Sequence, residues 1–390
     1  MKRVYLDHSA TTPVHPEVLE AMLPYYKDKF GNASSIHQFG RDAKDALEQS
    51  REAVAKVINA ASSEVYFTSG GTESDNLALK GTALANKNKG KHIMTSQIEH
   101  HAVLESCKFL KKEGYDVTYL PVDKYGLVDP GVLRENIRKD TILISIIHAN
   151  NETGTIQPIE ELGKIARENG IYFHSDTVQA FGKIPLDVQK MGIDMLSVSA
   201  HKLYGPKGVG AIYIRKGTRI SSLVHGGHHE RARRAGTENV PGIVGLAKAA
   251  EIASKDMETQ HQHLKNLTES FLKKLSEKIP DVFLNGHPEK KFAGTLNISF
   301  KGVEGESIIL SLDMKGVAVA SGSACTSGAL EPSHVLSAMR IDPALAQSSI
   351  RFSFGRENTM EDVDYVVEVL PAIIQRLRSM SPIYASSKKE

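Results

Sequence analysis

The stretch Met195-Leu196-Ser197-Val198-Ser199-Ala200-His201-Lys202, followed by Tyr204-Gly205-Pro206-Lys207-Gly208-Val209-Gly210, decides how the chain is read. A short apolar run bounded by small and polar residues reads as a buried strand. Similar runs recur at Val65-Tyr66-Phe67, His92-Ile93-Met94, 117–120, 142–147, Ile171-Tyr172-Phe173 and 211–214. Helical patterns lie between several of them, at 75–88, 102–113 and 159–168. Alternation of this kind predicts an α/β fold with a mostly parallel central sheet flanked by helices.

After Pro241 the pattern changes. Leu264, Leu267, Phe271 and Leu275 fall at helical spacing, which predicts a long linking helix over roughly 243–278. Strands are expected at 295–300 and 317–320, and a last helix at 360–380. A chain of 390 residues exceeds what one core usually supports. We expect a large domain over 14–255 and a smaller α+β domain built from 1–13 and 256–390.

Composition narrows the class. Charged residues make up 24%, hydrophobic residues 41%, and the net charge is +2. That balance suits a soluble enzyme and gives no field that draws nucleic acid or an acidic membrane. No run is long and apolar enough for a membrane span. The opening Met1-Lys2-Arg3-Val4-Tyr5-Leu6-Asp7 has no signal-peptide pattern. With two cysteines there is no disulfide framework, so a reducing cytoplasm is the expectation.

Open α/β sheets bind ligands at the carboxyl ends of their strands. After the run at 65 comes Ser69-Gly70-Gly71-Thr72-Glu73-Ser74, a turn into a helix whose N-terminus can hold phosphate. After the run at 171 comes Asp176, and then Gln179. After the run at 195 comes Lys202. Taken singly these are a plain turn, a helix cap and a surface lysine. Together they supply a phosphate cradle, an anion for a pyridine nitrogen and an imine-forming amine, which are the three needs of pyridoxal phosphate. Gln179 can hydrogen-bond the ring oxygen.

Ala320-Ser321-Gly322-Ser323-Ala324-Cys325-Thr326-Ser327-Gly328 is made almost wholly of small residues. It suits a mobile loop carrying a nucleophile as well as it suits an incidental cysteine. Cys107, inside a helical pattern, reads as core.

These segments resemble the NifS/IscS-type cysteine desulfurases, in the class V aminotransferase branch of the fold type I pyridoxal phosphate enzymes. The resemblance runs nearly end to end. It includes 5–13, 30–37, 68–77, Glu99-His100, 148–154, the Lys202 segment, 234–239, the Cys325 segment and 348–353. It implies that Lys202 forms the cofactor imine and shuttles the Cα proton, and that Asp176 and Gln179 meet the ring nitrogen and oxygen. It implies that His100 stacks on the ring and handles the substrate thiol proton. Gly71, Thr72, Ser199 and His201 would hold the phosphate, and Thr237 would reach the phosphate of a second subunit in a homodimer. Asn151 and Arg351 would fix the carboxylate of L-cysteine. Cys325 would take the sulfur as a persulfide, with alanine released, and pass it to an iron–sulfur scaffold protein of the IscU/NifU type. In such a complex Cys325 would also be a shared ligand of a transient [2Fe–2S] cluster.

Three departures from the family pattern stand out: His228-His229 beside His225, Thr177 where alanine is usual, and the tail at 380–384. The histidine spacing matches no common structural zinc site. The alternatives are a class V aminotransferase or selenocysteine lyase, which would not need Cys325, and a non-catalytic assembly platform.

Overall fold

The computed structural model describes residues 2–321, 332–381 and 384. The runs read from the sequence form one sheet of seven strands: β2 (Val65–Thr68), β3 (His92–Ser96), β4 (Asp116–Leu120), β5 (Thr141–Ser145), β6 (Tyr172–Asp176), β7 (Met195–Ser199) and β8 (Gly210–Ile214), in the order β2-β8-β7-β6-β5-β3-β4. Strands β7, β6, β5, β3 and β4 pair in parallel, and β8 runs antiparallel to both of its neighbours. Most of these strands are buried along their whole length. Continuous burial is why they read as unbroken apolar runs. The helix Ile159–Glu168 packs Leu162, Ile165 and Ala166, at helical spacing, into the core.

Lys202 lies in the short link between β7 and β8. That link closes because Gly210 has no side chain: a Cβ there would stand 2.4 Å from the Val198 carbonyl and 2.6 Å from Gly70 Cα. Gly70 itself has φ of 155°, a backbone that favours glycine. The two glycines therefore bring the turn after β2 against the end of β7.

The helix expected at 75–88 starts earlier, at Gly71, and passes through a π-helical turn, Leu77–Gly81, before ending at Asn86. The linking helix spans Val240–Lys278 without a break. Beyond it, β9 (Val282–Asn285), β10 (Thr295–Phe300) and β12 (Ser349–Ser353) form an antiparallel sheet in the order β12-β10-β9. The first residues join this part, not the large sheet. Strand β1 (Val4–Tyr5) pairs in parallel with β11 (Val317–Ala318), and Asp7 bridges to Ser353. The strand expected at 317–320 stops early, with Ala320 making only an isolated bridge to Arg351. Among the described residues no helix is long and apolar enough to cross a membrane.

The segment around His228-His229 has a structural reason for its shape. Glu230, Arg231 and Ala232 all have left-handed backbones, with φ of 44°, 54° and 62°, a costly arrangement for non-glycine residues. What holds it is the buried Glu230 carboxylate. It accepts from Arg51 Nη1 at 2.7 Å, from Arg51 Nη2 at 3.0 Å and from the Phe67 amide at 2.9 Å. Arg51, on the helix Gln38–Val57, also donates to the Val65 carbonyl at 2.8 Å. The pair thus ties the edge strand β2 to a helix and a loop. Removing one partner strands a buried charge. We expect Glu230→Ala to lower the free energy of unfolding by about 3–5 kcal/mol, measured by urea denaturation, with Glu230→Gln losing less.

Candidate active site

At the carboxyl edge of the parallel strands is a cleft of about 360 Å³. Gly71, Thr72, His100, Asn151, Asp176, Gln179, Ser199, His201, Lys202 and Arg351 all line it. The sequence places these residues on separate segments, and the common strand direction brings them together. Thr237 is exposed and is not part of this lining. Cys325 lies outside the described residues, as do Pro382 and Ile383 of the tail.

One side of the cleft rests on Gly71. A Cβ there would meet Val178 Cγ2 at 2.6 Å and Ser199 Cβ at 3.6 Å. Glycine lets the helix start sit directly against the ends of β6 and β7. The first turn of a helix offers amide N–H groups with no partner inside the helix, and Ser199 and His201 add side-chain donors beside them.

Asp176 ends β6 and is 4% exposed. Its Oδ1 accepts the Val178 amide at 2.9 Å. Burial pushes its pKa up to about 6, against the pull of that amide and of the Lys202 charge. Lys202 Nζ donates to the carbonyls of Ser9 at 2.6 Å and Ala10 at 2.7 Å, so the N-terminal segment forms one wall of the site. Gln179 Nε2 donates to the same Ser9 carbonyl at 2.9 Å.

His100 caps the helix His101–Lys112, accepting the Ala102 amide on Nδ1 at 3.1 Å. Burial, with the nearby charges of Lys202 and His101, lowers its pKa to about 4. The ring is therefore neutral near pH 7. Because Nδ1 accepts, its proton sits on Nε2.

Arg351, on β12, is 3% exposed. Its Nη2 donates to Asp7 Oδ1 at 2.8 Å and its Nη1 to the Asn151 carbonyl at 3.1 Å. Its buried Nε has no partner. An unused buried N–H is rare, and on a guanidinium it fits a carboxylate ligand.

Several residues without a role in the sequence reading also shape this cleft. Asp75 is buried, its Oδ1 lies 3.6 Å from His174 Nε2 without a hydrogen-bond partner, and its pKa is raised well above the usual carboxylate range by burial and by Asp176. Glu152 is raised to about 7 by burial, although the Ser333 hydroxyl donates to it at 2.5 Å. Buried carboxyls like these can be sought at strand ends, but their pairing is set in three dimensions. Thr177 is fully buried and donates Oγ1 to the Ser197 carbonyl at 2.8 Å. Its hydroxyl is spent inside the sheet, so the departure from alanine is absorbed there. His229 Nδ1 accepts the Gly236 amide at 3.3 Å. Among the described residues no group of three or more His, Cys, Asp or Glu could hold a metal ion.

The aminotransferase class-V model matches residues 4–366. The chain belongs to this family. It is 57% identical over 383 residues to "Cysteine desulfurase IscS" of Dictyoglomus turgidum, covering 98% of this chain and 97% of that one. Among solved structures, "NIFS-LIKE PROTEIN" superposes with a TM-score of 0.91 at 41% identity, covering 96% of this chain and all of that one. "SspA in complex with cysteine" superposes with a TM-score of 0.82 at 39% identity, covering 90% and 98%. The fold is thus that of the class V, NifS-like fold type I enzymes, and pyridoxal phosphate is the cofactor. The donor set fits it: a glycine-lined helix start for the phosphate, a buried carboxylate at a strand end and a lysine in the same cleft.

A pKa of about 6 for Asp176 makes it an anion above that pH and neutral below. Rebinding of pyridoxal phosphate to the apoprotein should therefore weaken as pH falls through about 6. Asp176→Asn should bind more weakly above that pH, approach the unmodified protein below it and lose that part of the dependence, as read by equilibrium dialysis of the two proteins side by side.

Proposed function

We propose that this chain is a pyridoxal phosphate-dependent cysteine desulfurase. It removes sulfur from L-cysteine, releases L-alanine and leaves a persulfide on Cys325. The observation that carries this reading is the meeting of Lys202, Asp176 and the unsatisfied Arg351 Nε in one cleft. Further support comes from 57% identity, nearly end to end, to a relative named for this activity, and from the likeness to a structure named for its complex with cysteine.

Pyridoxal phosphate supplies a carbonyl for imine chemistry and a protonated ring that draws electrons from the attached carbon. The residues do the rest. Asp176 keeps an anion at the ring nitrogen, and Gln179 donates to the ring oxygen. Arg351 and Asn151 orient the substrate carboxylate. Lys202 provides the amine that first holds the cofactor and later carries the Cα proton on Nζ. His100, neutral near pH 7, carries the proton of the substrate thiol. The Cys325 thiolate attacks the substrate sulfur, since the thiolate is the nucleophilic form. One sulfur moves, and cysteine plus a thiol become alanine plus a persulfide.

The finer assignments belong to the same reading. The enzyme works as a homodimer in which Thr237, exposed in the single chain, reaches the phosphate of the other subunit. The sulfur goes to an iron–sulfur scaffold protein of the IscU/NifU type, where Cys325 can also share a [2Fe–2S] cluster. The part over 14–255 holds the cofactor, and 1–13 with 256–390 closes the substrate side. The setting is the cytoplasm.

Cys325→Ala tests the reaction. The variant should keep the visible absorbance of the bound cofactor and still bind cysteine. It should form no protein persulfide by mass spectrometry and release alanine at least about a hundredfold more slowly, as expected when a nucleophile is lost. Undiminished alanine release would overturn the persulfide mechanism and favour a lyase.

A further inference from the structure

A second lysine stands behind the site. Lys183 lies four residues after Gln179, in the turn that follows β6. That turn is fixed by backbone bonds from Ala180 and Phe181 to the Thr177 carbonyl and from Lys183 to the Ala180 carbonyl. The Lys183 side chain is half-buried. Its Nζ lies 3.2 Å from Gln179 Oε1 and 5.2 Å from the centre of the Phe292 ring. It also lines an apolar cavity on the far side of Lys202, walled by Ala249, Ile252, Ala253, Leu264 and Phe354. Burial and the neighbouring Lys202 charge lower its pKa to about 7, and among the described residues no carboxylate forms a salt bridge with it. A lysine kept in such a place, without an ion-pair partner to hold it, needs another reason to be there.

The geometry points to Lys183 as a positioning residue: its ammonium fixes the Gln179 amide so that the N–H end faces the cofactor ring oxygen. This rests on the proposed contact between Gln179 and that oxygen. The two ends of a glutamine amide have nearly the same shape, and only hydrogen-bond partners distinguish them. Below its pKa of about 7 Lys183 is an ammonium, with donors and no acceptor, and in that form it faces only Oε1. Gln179 Nε2 is thereby turned away from Lys183, and it donates to the Ser9 carbonyl at 2.9 Å. The same carbonyl takes Lys202 Nζ at 2.6 Å. With the amide reversed, Oε1 would oppose that carbonyl and the amide nitrogen would oppose the ammonium. Lys183, Gln179, Ser9 and Lys202 thus form one connected chain. The charge of Lys183 also lowers the pKa of His8 and of His201, so its field reaches the cofactor-binding residues.

The test uses the holoenzyme and three variants, Lys183→Met, Lys183→Arg and Gln179→Ala, with the double variant Lys183→Met/Gln179→Ala. The main readout is the pH midpoint of the visible absorbance change of the bound cofactor. A lost donor at the ring oxygen and a lost positive charge both favour the protonated chromophore. Lys183→Met should therefore raise the midpoint by about one unit, as expected for one charge-assisted hydrogen bond. Lys183→Arg, which keeps a cationic donor, should restore most of it. Gln179→Ala should shift the midpoint in the same direction, and the shift in the double variant should fall short of the sum of the two single shifts. In steady state, kcat should fall roughly tenfold in Lys183→Met with KM for cysteine nearly unchanged. Unfolding midpoints confirm that each variant is folded. A normal midpoint in folded Lys183→Met, or shifts that add fully in the double variant, would overturn the role of Lys183 while leaving the Gln179 contact intact. A normal midpoint in Gln179→Ala would overturn the contact itself and the proposal with it.

Discussion

Strands paired in parallel must be joined by crossovers, so their carboxyl ends all emerge at the same edge of the sheet. In this chain β7, β6, β5, β3 and β4 obey that constraint. Nearly every feature of the site follows from it. Asp176 is the last residue of β6, and Lys202 sits just past the end of β7. The helix that starts at Gly71 reaches the same edge because β2 points the same way, with antiparallel β8 between it and β7. Gly70 and Gly210 allow the close approach. The N-terminal segment then crosses the edge, and the Ser9 and Ala10 carbonyls hold the Lys202 ammonium. The same segment supplies Asp7 to Arg351. One short stretch thus links the amine of the large sheet to the guanidinium of the small one.

Burial then decides which groups carry charge. Four carboxyls lie in or just beneath the cleft, and all are raised by desolvation. Asp75 is raised well above the usual range, Glu99 to about 8, Glu152 to about 7 and Asp176 to about 6. Neighbouring buried carboxylates cannot all ionise. The ordering leaves Asp176 as the first to lose its proton, helped by the Val178 amide and the Lys202 charge. That is the carboxylate we propose for the protonated ring. Glu99 and Asp75, held closer to neutral, add little repulsion to it at pH 7. On the other wall His100 stays neutral, so it adds no positive charge beside Lys202. The site separates its charges by depth and by donors.

Much of this was legible in the sequence, for physical reasons. The strands of the large sheet are buried on both faces and read as apolar runs, and the small residues after them marked the ligand edge. The second sheet was harder. Strand β12 alternates Ser349, Ile350, Arg351, Phe352 and Ser353, all buried, and a buried arginine hides a strand from any hydropathy reading. Strand β9 leaves Phe283 at 42% exposure, a pattern of an edge strand with weak signal. The helix Gln38–Val57 buries Ala43, Ala46, Leu47 and Val54 at a readable spacing that the apolar runs of the sheet overshadowed. Among site residues, Lys202, Asp176 and Gln179 followed from strand ends. Asp75, Glu152 and Lys183 did not, because their importance lies in which group each one faces across the fold.

We propose Lys202 as the amine that holds the cofactor, with Lys183 close by and lowered in pKa by burial and by the Lys202 charge. The most direct measurement is to reduce the holoprotein with borohydride, digest it and map the phosphopyridoxyl group by peptide mass spectrometry. The label is expected on the peptide containing Lys202 and not on Lys183. Label on Lys183, or on any other lysine in place of Lys202, would contradict that assignment.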